Sequence, residues 1–292
     1  MASVWREAFI VWFRRQAIAS PTAEVYQRGV IASPAGRLWL FGVVAAAVVL
    51  AVGLLVAEIR GIMVYLGLSV LPIALLLTWL VRTDRYEPEP KTLIVSVVGA
   101  GIVVASLFSL IPFPAGLSAY VAKLVAIEFV FFIVLFLLDA NRITGREFND
   151  HLDGVVYGVS LGLGYVLYNN FYLLGGYVDL KPEFVLTLAL EEFMYVMFPA
   201  FTGWWIGYVK AKYTSVSFGN LLAGFIPVAL FKAVAAVVVV FLAGQPLPIR
   251  IVGVGVLTIL FLAALAQRVS WALQDEVAWG YAAGRAPVEK AR

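Results

Sequence analysis

Cysteine is absent from this chain of 292 residues, and histidine occurs once, at His151. Disulfides, thiolate nucleophiles and thiolate metal sites are thereby excluded, and so is every zinc arrangement that needs two or more imidazoles. Charge is scarce as well. Asp, Glu, Lys and Arg make up 13% of the residues, against about a quarter in an ordinary soluble domain. So little charge cannot cover a water-soluble globule, and no basic stripe points to a nucleic acid as partner. What the chain has instead is apolar surface: 63% of its residues are hydrophobic, and its mean hydropathy is +0.95. Lipid is the natural solvent.

Eight apolar stretches follow one another at roughly residues 38–57, 61–81, 92–111, 119–138, 154–174, 183–209, 218–243 and 251–266. Each comes close to the length that crosses about 30 Å of hydrocarbon at about 1.5 Å per helical residue, the last being the shortest. The pattern predicts an all-α fold, a polytopic transmembrane helix bundle of about eight spans. With that spacing, 16 Lys and Arg residues fall on one side of the membrane and three (Arg60, Lys181 and Arg250) on the other. Positive residues collect in cytoplasmic loops, so both termini are expected inside, in a prokaryotic cytoplasmic membrane. The chain then divides into a cytoplasmic segment at 1–36, the bundle at 37–266 and a cytoplasmic tail at 267–292.

Residues 1–19 lack the cleavage site of a signal peptide. Trp5, Phe9, Trp12 and Phe13 recur at helical spacing, with Arg6, Arg14 and Arg15 elsewhere on the helix. This predicts an amphipathic helix lying in the membrane interface, or a short helix packed on the loops. Within the spans, Gly154, Gly158 and Gly162 repeat every fourth residue, as do Gly203 and Gly207. Small residues at that spacing let neighbouring helices approach closely.

Ionisable groups inside a span are costly and mark functional sites by default. Here they are Lys123, Glu128, Glu191, Glu192 and Lys232, accompanied by the amides Asn169 and Asn170. Counted from the outer ends of their spans, Glu128, Glu191 and Glu192 lie about 12–14 Å deep, Lys232 roughly 16 Å and Asn169 about 8–9 Å. Four helices thus carry polar groups at similar depth, which predicts a shared cavity in the outer half of the membrane. Lys123, only about 6 Å down, is read as snorkelling to the interface. The alternative is a structural network, such as a pair between Glu192 and Lys232, that joins helices without further function.

The string Asp84-Arg85-Tyr86-Glu87-Pro88-Glu89-Pro90 precedes the third span. Asp153-Gly154, Tyr157-Gly158 and Gly162-Leu163-Gly164-Tyr165 follow, leading to Asn170, and Thr202-Gly203 with Gly207 completes the set. In this order and spacing, over roughly residues 80–240, the chain resembles the PrsW-like intramembrane proteases, which are distantly like the CAAX-processing membrane proteases. The resemblance implies an active site drawn from four consecutive helices: a Glu-Glu-x-x-Lys motif, a Glu-Asn pair, a histidine four residues before Thr-Gly, and a histidine in the next span. This chain departs from that set. Glu128 alone stands where the first motif falls, flanked by Ile127 and Phe129. Asn169-Asn170 replaces the Glu-Asn pair, Phe198 occupies the first histidine position, and Phe231 or Lys232 the second.

Nothing in the sequence calls for a metal or another cofactor. The first expectation is a PrsW-like membrane protein whose catalytic set is degraded, binding a membrane-embedded peptide through Asn169, Asn170, Thr202 and Lys232. A second is an active peptidase using Glu128 with Glu191 or Glu192 as acid and base. A third is a proton-coupled transporter of small solutes.

Overall fold

The computed structural model describes residues 2–15, 60–83, 89–174, 182–213 and 217–278. Among these residues there are eight α-helices and no strand. They are α1 (Ala2–Ile10), α2 (Arg60–Thr83), α3 (Lys91–Ser109), α4 (Leu117–Ala140), α5 (His151–Leu174), α6 (Pro182–Lys212), α7 (Phe218–Ala243) and α8 (Leu247–Ala278). The span expected at 38–57 and the loop residues 84–88 lie outside the described residues.

Among the described residues, six helices are long and apolar enough to cross a membrane: α2, α3, α4, α6, α7 and α8. They are compatible with a multi-pass membrane protein. Their outward faces are apolar, with Val95 and Leu107 on α3, Val234 and Phe241 on α7, and Val252 and Ile259 on α8 all exposed. The helix α5, expected as a span at 154–174, is not among the six, and its surroundings give the reason. Every residue from 151 to 164 is buried by protein. Over that stretch the helix is enclosed by its neighbours and presents no lipid face, so its sequence can carry Asp153 and Ser160.

Local chemistry sets this central helix. Asp150 accepts from the backbone N–H of Leu152 and Asp153 at 2.7 and 3.2 Å, and Asp153 accepts from Asn149 and Asp150 at 2.7 and 3.1 Å. The two carboxylates thus form a reciprocal cap on the α5 N-terminus. The four-residue glycine repeat then seats α5 on α6. A Cβ on Gly154 would collide with the Gly203 carbonyl, and one on Gly158 with that of Pro199. Across the other face, Gly164 meets the Val98 carbonyl of α3 equally closely. The helix α6 runs through Pro199 as a single element.

One end of the bundle is knitted by polar contacts. Lys210 pairs with Asp139 at 2.6 Å and donates to the Gly145 carbonyl at 2.6 Å. The Tyr157 hydroxyl donates to Glu89, and His151 Nε2 lies 3.2 Å from Asp275 Oδ2. The helix α1 docks at this same end. Together with the turn that follows it, it buries Val4, Ala8 and Val11 and leaves Trp5, Phe9 and Phe13 exposed. It is therefore packed on the bundle with an aromatic stripe facing outward. Glu7 accepts from Lys212, Tyr208 and Tyr213. Burial pushes its carboxyl upward, but these three donors outweigh burial and hold it below the usual carboxylate range.

The helix α8 runs 12 residues past the expected end at 266, to Ala278. Hydropathy stops marking it at Gln267, but the polar residues beyond have partners. Arg268, 2% exposed, donates to the carbonyls of Val11 and Trp12 at 3.3 and 2.6 Å. Its guanidinium also lies 4.9 Å from the rings of both Trp12 and Trp271. Asp275 pairs with Arg15 at 2.5 Å.

Candidate functional site

At the end of the bundle away from α1, four helices enclose a cavity of about 280 Å³. The helix α4 lines it with Tyr120, Lys123, Ile127 and Phe131, and α5 with Gly162, Tyr165, Val166 and Asn169. From α6 come Leu188, Glu191, Glu192 and Tyr195, and from α7 comes Lys232. Spacings of three and four residues put each set on one helix face.

Four expected residues meet here: Asn169, Glu191, Glu192 and Lys232. Three others, Glu128, Asn170 and Thr202, lie behind the wall, each at most 1% exposed. They are held in two separate networks.

In the first, Lys232 Nζ pairs with Glu128 Oε2 at 2.8 Å, and the Thr202 hydroxyl donates to Glu128 Oε1 at 2.8 Å. The ammonium also lies 5.7–5.9 Å from the ring centres of Phe131, Tyr195 and Phe198, within cation–π range. Lys232 therefore pairs with Glu128 rather than with Glu192. The reason is rotational: Glu128 sits one turn from Phe131 on the α4 face turned toward α7, and helix packing sets that angle.

The second network is centred on Glu192. Asn169 Nδ2 donates to its Oε1 at 3.2 Å, and the Tyr65 hydroxyl to the same oxygen at 3.4 Å. Turned to satisfy both neighbours, the Asn170 amide donates to Oε1 and Oε2 at 2.9 and 3.1 Å while its carbonyl accepts from Ser69 Oγ at 2.8 Å. All of these donors are neutral. Glu191 instead takes an ion pair from Arg250 at 3.3 Å.

Sequence reasoning missed Tyr65 and Ser69 on α2, Arg250 on α8, and Tyr120, Tyr165 and Tyr195 around the cavity. A signal existed for several. Tyr165 precedes Asn169 by four residues, Tyr195 follows Glu192 by three, and Tyr65 precedes Ser69 by four. Those spacings keep each hydroxyl on its partner's face. Lys123, read as snorkelling, lines the cavity and rests 5.5 Å from the Phe113 ring centre.

Among the described residues, no three His, Asp or Glu side chains converge as a metal site would require. His151 lies at the α1 end beside Asp275. Chemically, the cavity offers hydrogen-bond donors and acceptors, tyrosine rings and one carboxylate held by neutral groups, on an otherwise apolar wall. No family model, no curated protein and no solved structure matches this chain.

Proposed function

We propose that this chain is a PrsW-like integral membrane protein, of about eight spans with both termini cytoplasmic, that binds a membrane-embedded peptide and does not cut it. The α1 end is then the cytoplasmic end, where the Lys- and Arg-rich segments gather. The cavity lies in the outer half of the membrane.

The observation that carries this reading is the fate of Glu128, the one carboxylate at a family catalytic position. Both of its oxygens are engaged, by Lys232 and Thr202, and its side chain lies behind the cavity wall. A general base must reach the proton it abstracts, and this group is occupied as a structural ion pair. The cavity in front of it is mostly apolar with a few polar groups set into its wall, which is what binding requires. The contacts among motif residues support the resemblance. Glu89 accepts from Tyr157, Gly154 meets Gly203, and Thr202 donates to Glu128. Segments far apart in sequence thus form one connected core.

The test uses the full chain with a photoreactive benzoylphenylalanine at Leu188, co-expressed with a single-span reporter. Crosslinking to the intact reporter is expected, with no cleavage products. Release of a fragment that disappears in Glu128→Gln would instead establish a peptidase, and no crosslinking at all would remove the peptide-binding reading.

A further inference from the structure

The charges around the cavity are matched unevenly. Lys232 is neutralised by Glu128, and Glu191 by Arg250. Glu192 is 5% exposed and, among the described residues, accepts from Asn169, Asn170 and Tyr65. Among the described residues, no lysine or arginine pairs with it. Its hydrogen bonds are satisfied, but its charge is not. A buried carboxylate in that condition is costly and takes up a proton unless a cation takes the proton's place, and an ammonium that reaches it gains a charge-assisted hydrogen bond.

The walls beside Glu192 suit one kind of cation. Tyr120, Tyr165 and Tyr195 line the same cavity, and aromatic faces attract organic ammonium groups. The inner end already demonstrates this, since the Lys232 ammonium rests against Phe131, Tyr195 and Phe198. Asn169 and the tyrosine hydroxyls can accept from an ammonium's remaining protons. Lys123 stands nearer the outer end, on α4 five residues before Glu128 and stacked on Phe113. The carboxylate is thus the deeper charge and the lysine the shallower one.

We propose that the cavity binds a primary ammonium group carried by the peptide, with Glu192 as its counter-ion and the three tyrosines as its wall. This rests on reading the cavity as a peptide-binding site, and it names the feature by which the peptide is chosen. The group is either a free N-terminal amine or a lysine lying in the outer half of the membrane.

The test uses the full chain, carrying benzoylphenylalanine at Leu188, in nanodiscs of phosphatidylcholine and phosphatidylglycerol, which lack primary amines. Three synthetic 20-residue Leu/Ala peptides are compared: one with a free N-terminus, one acetylated, and one acetylated with a lysine four residues from the N-terminus. Saturable crosslinking to at least one amine-bearing peptide is expected, with acetylation alone lowering the yield roughly tenfold, the worth of a hydrogen bond to a charged group. Whichever amine peptide crosslinks identifies the source. Glu192→Gln is expected to abolish the difference between the amine and acetylated peptides. The acetylated probe makes the same test without a variant, should that substitution disturb folding. Equal crosslinking of all three peptides would overturn the ammonium inference and leave peptide binding standing. Failure of all three would overturn both. Added phosphatidylethanolamine that crosslinks where no peptide does would overturn the peptide as ligand.

Discussion

An ion pair taken out of water is weakly favourable as a pair, and strongly unfavourable once a single partner is removed. Lys232 and Glu128 are in that position, 2% and 0% exposed and 2.8 Å apart. Lys232→Met alone is expected to cost about 3–5 kcal/mol, because Glu128 is left buried and uncompensated. Glu128→Leu combined with Lys232→Met is expected to recover most of that loss. Thermal unfolding of the purified variants in detergent checks both, and a double variant as damaged as the single one would contradict the pairing. At this scale the sequence was informative about depth and silent about angle. Counting residues from the span ends put Asn169, Glu191, Glu192 and Lys232 at similar depths, and all four line the cavity. Which acid Lys232 would choose depended on helix rotation, and Arg250, placed in an outer loop by hydropathy, reached back to Glu191.

Among the helices, α5 meets α6 through close backbone contact at its glycines and also buries side chains such as Val155, Val159 and Leu161. Gly154 and Gly203 touch through their main chains, so a side chain at either site forces α5 and α6 apart. Gly203→Leu is expected to destabilise the bundle by at least the roughly 1–3 kcal/mol typical of overpacking, read as a lowered midpoint in detergent unfolding. A variant as stable as the parent would contradict the close crossing. The four-residue glycine repeat made this contact legible beforehand. The polar residues of α5, carried within a stretch that the sequence marks as apolar, became understandable only once its neighbours were in place.

The helix α1 poses a different case, since its docking depends on charge. Glu7 is held below the ordinary carboxylate range, so its contribution is present above its unfolded-state pKa and lost as pH falls through the lower folded-state value. Protease protection of residues 2–15 is expected to persist at pH 5 and to fade as the pH drops below the usual carboxylate range. Glu7→Gln is expected to weaken that protection already at pH 7, and a pH-independent result would contradict the Glu7 clamp. Hydropathy ended α8 at 266 because nothing in the sequence near Arg268 announces that Val11 and Trp12 supply its acceptors.

For the whole molecule, the helical class and the apolar exterior were legible from composition alone, because scarce charge and long apolar runs admit few other solutions. The cavity was legible in outline, as polar groups from several helices at one depth. Its closure was not, because the tyrosines that form its wall read as ordinary apolar-face residues until Glu192 stands beside them. Everything proposed about function requires that this cavity be open to a ligand from the outer side rather than a dry seam between helices. A chain without cysteine allows a direct measurement. The Leu188→Cys variant, at the cavity, is compared with Ala236→Cys, fully buried on α7, using a small membrane-impermeant thiol reagent added to the outer face. Rapid modification at position 188, slowed by the single-span reporter peptide, is expected alongside an inert position 236. If position 188 is as inert as 236, or reacts only from the cytoplasmic side, the outer cavity is contradicted.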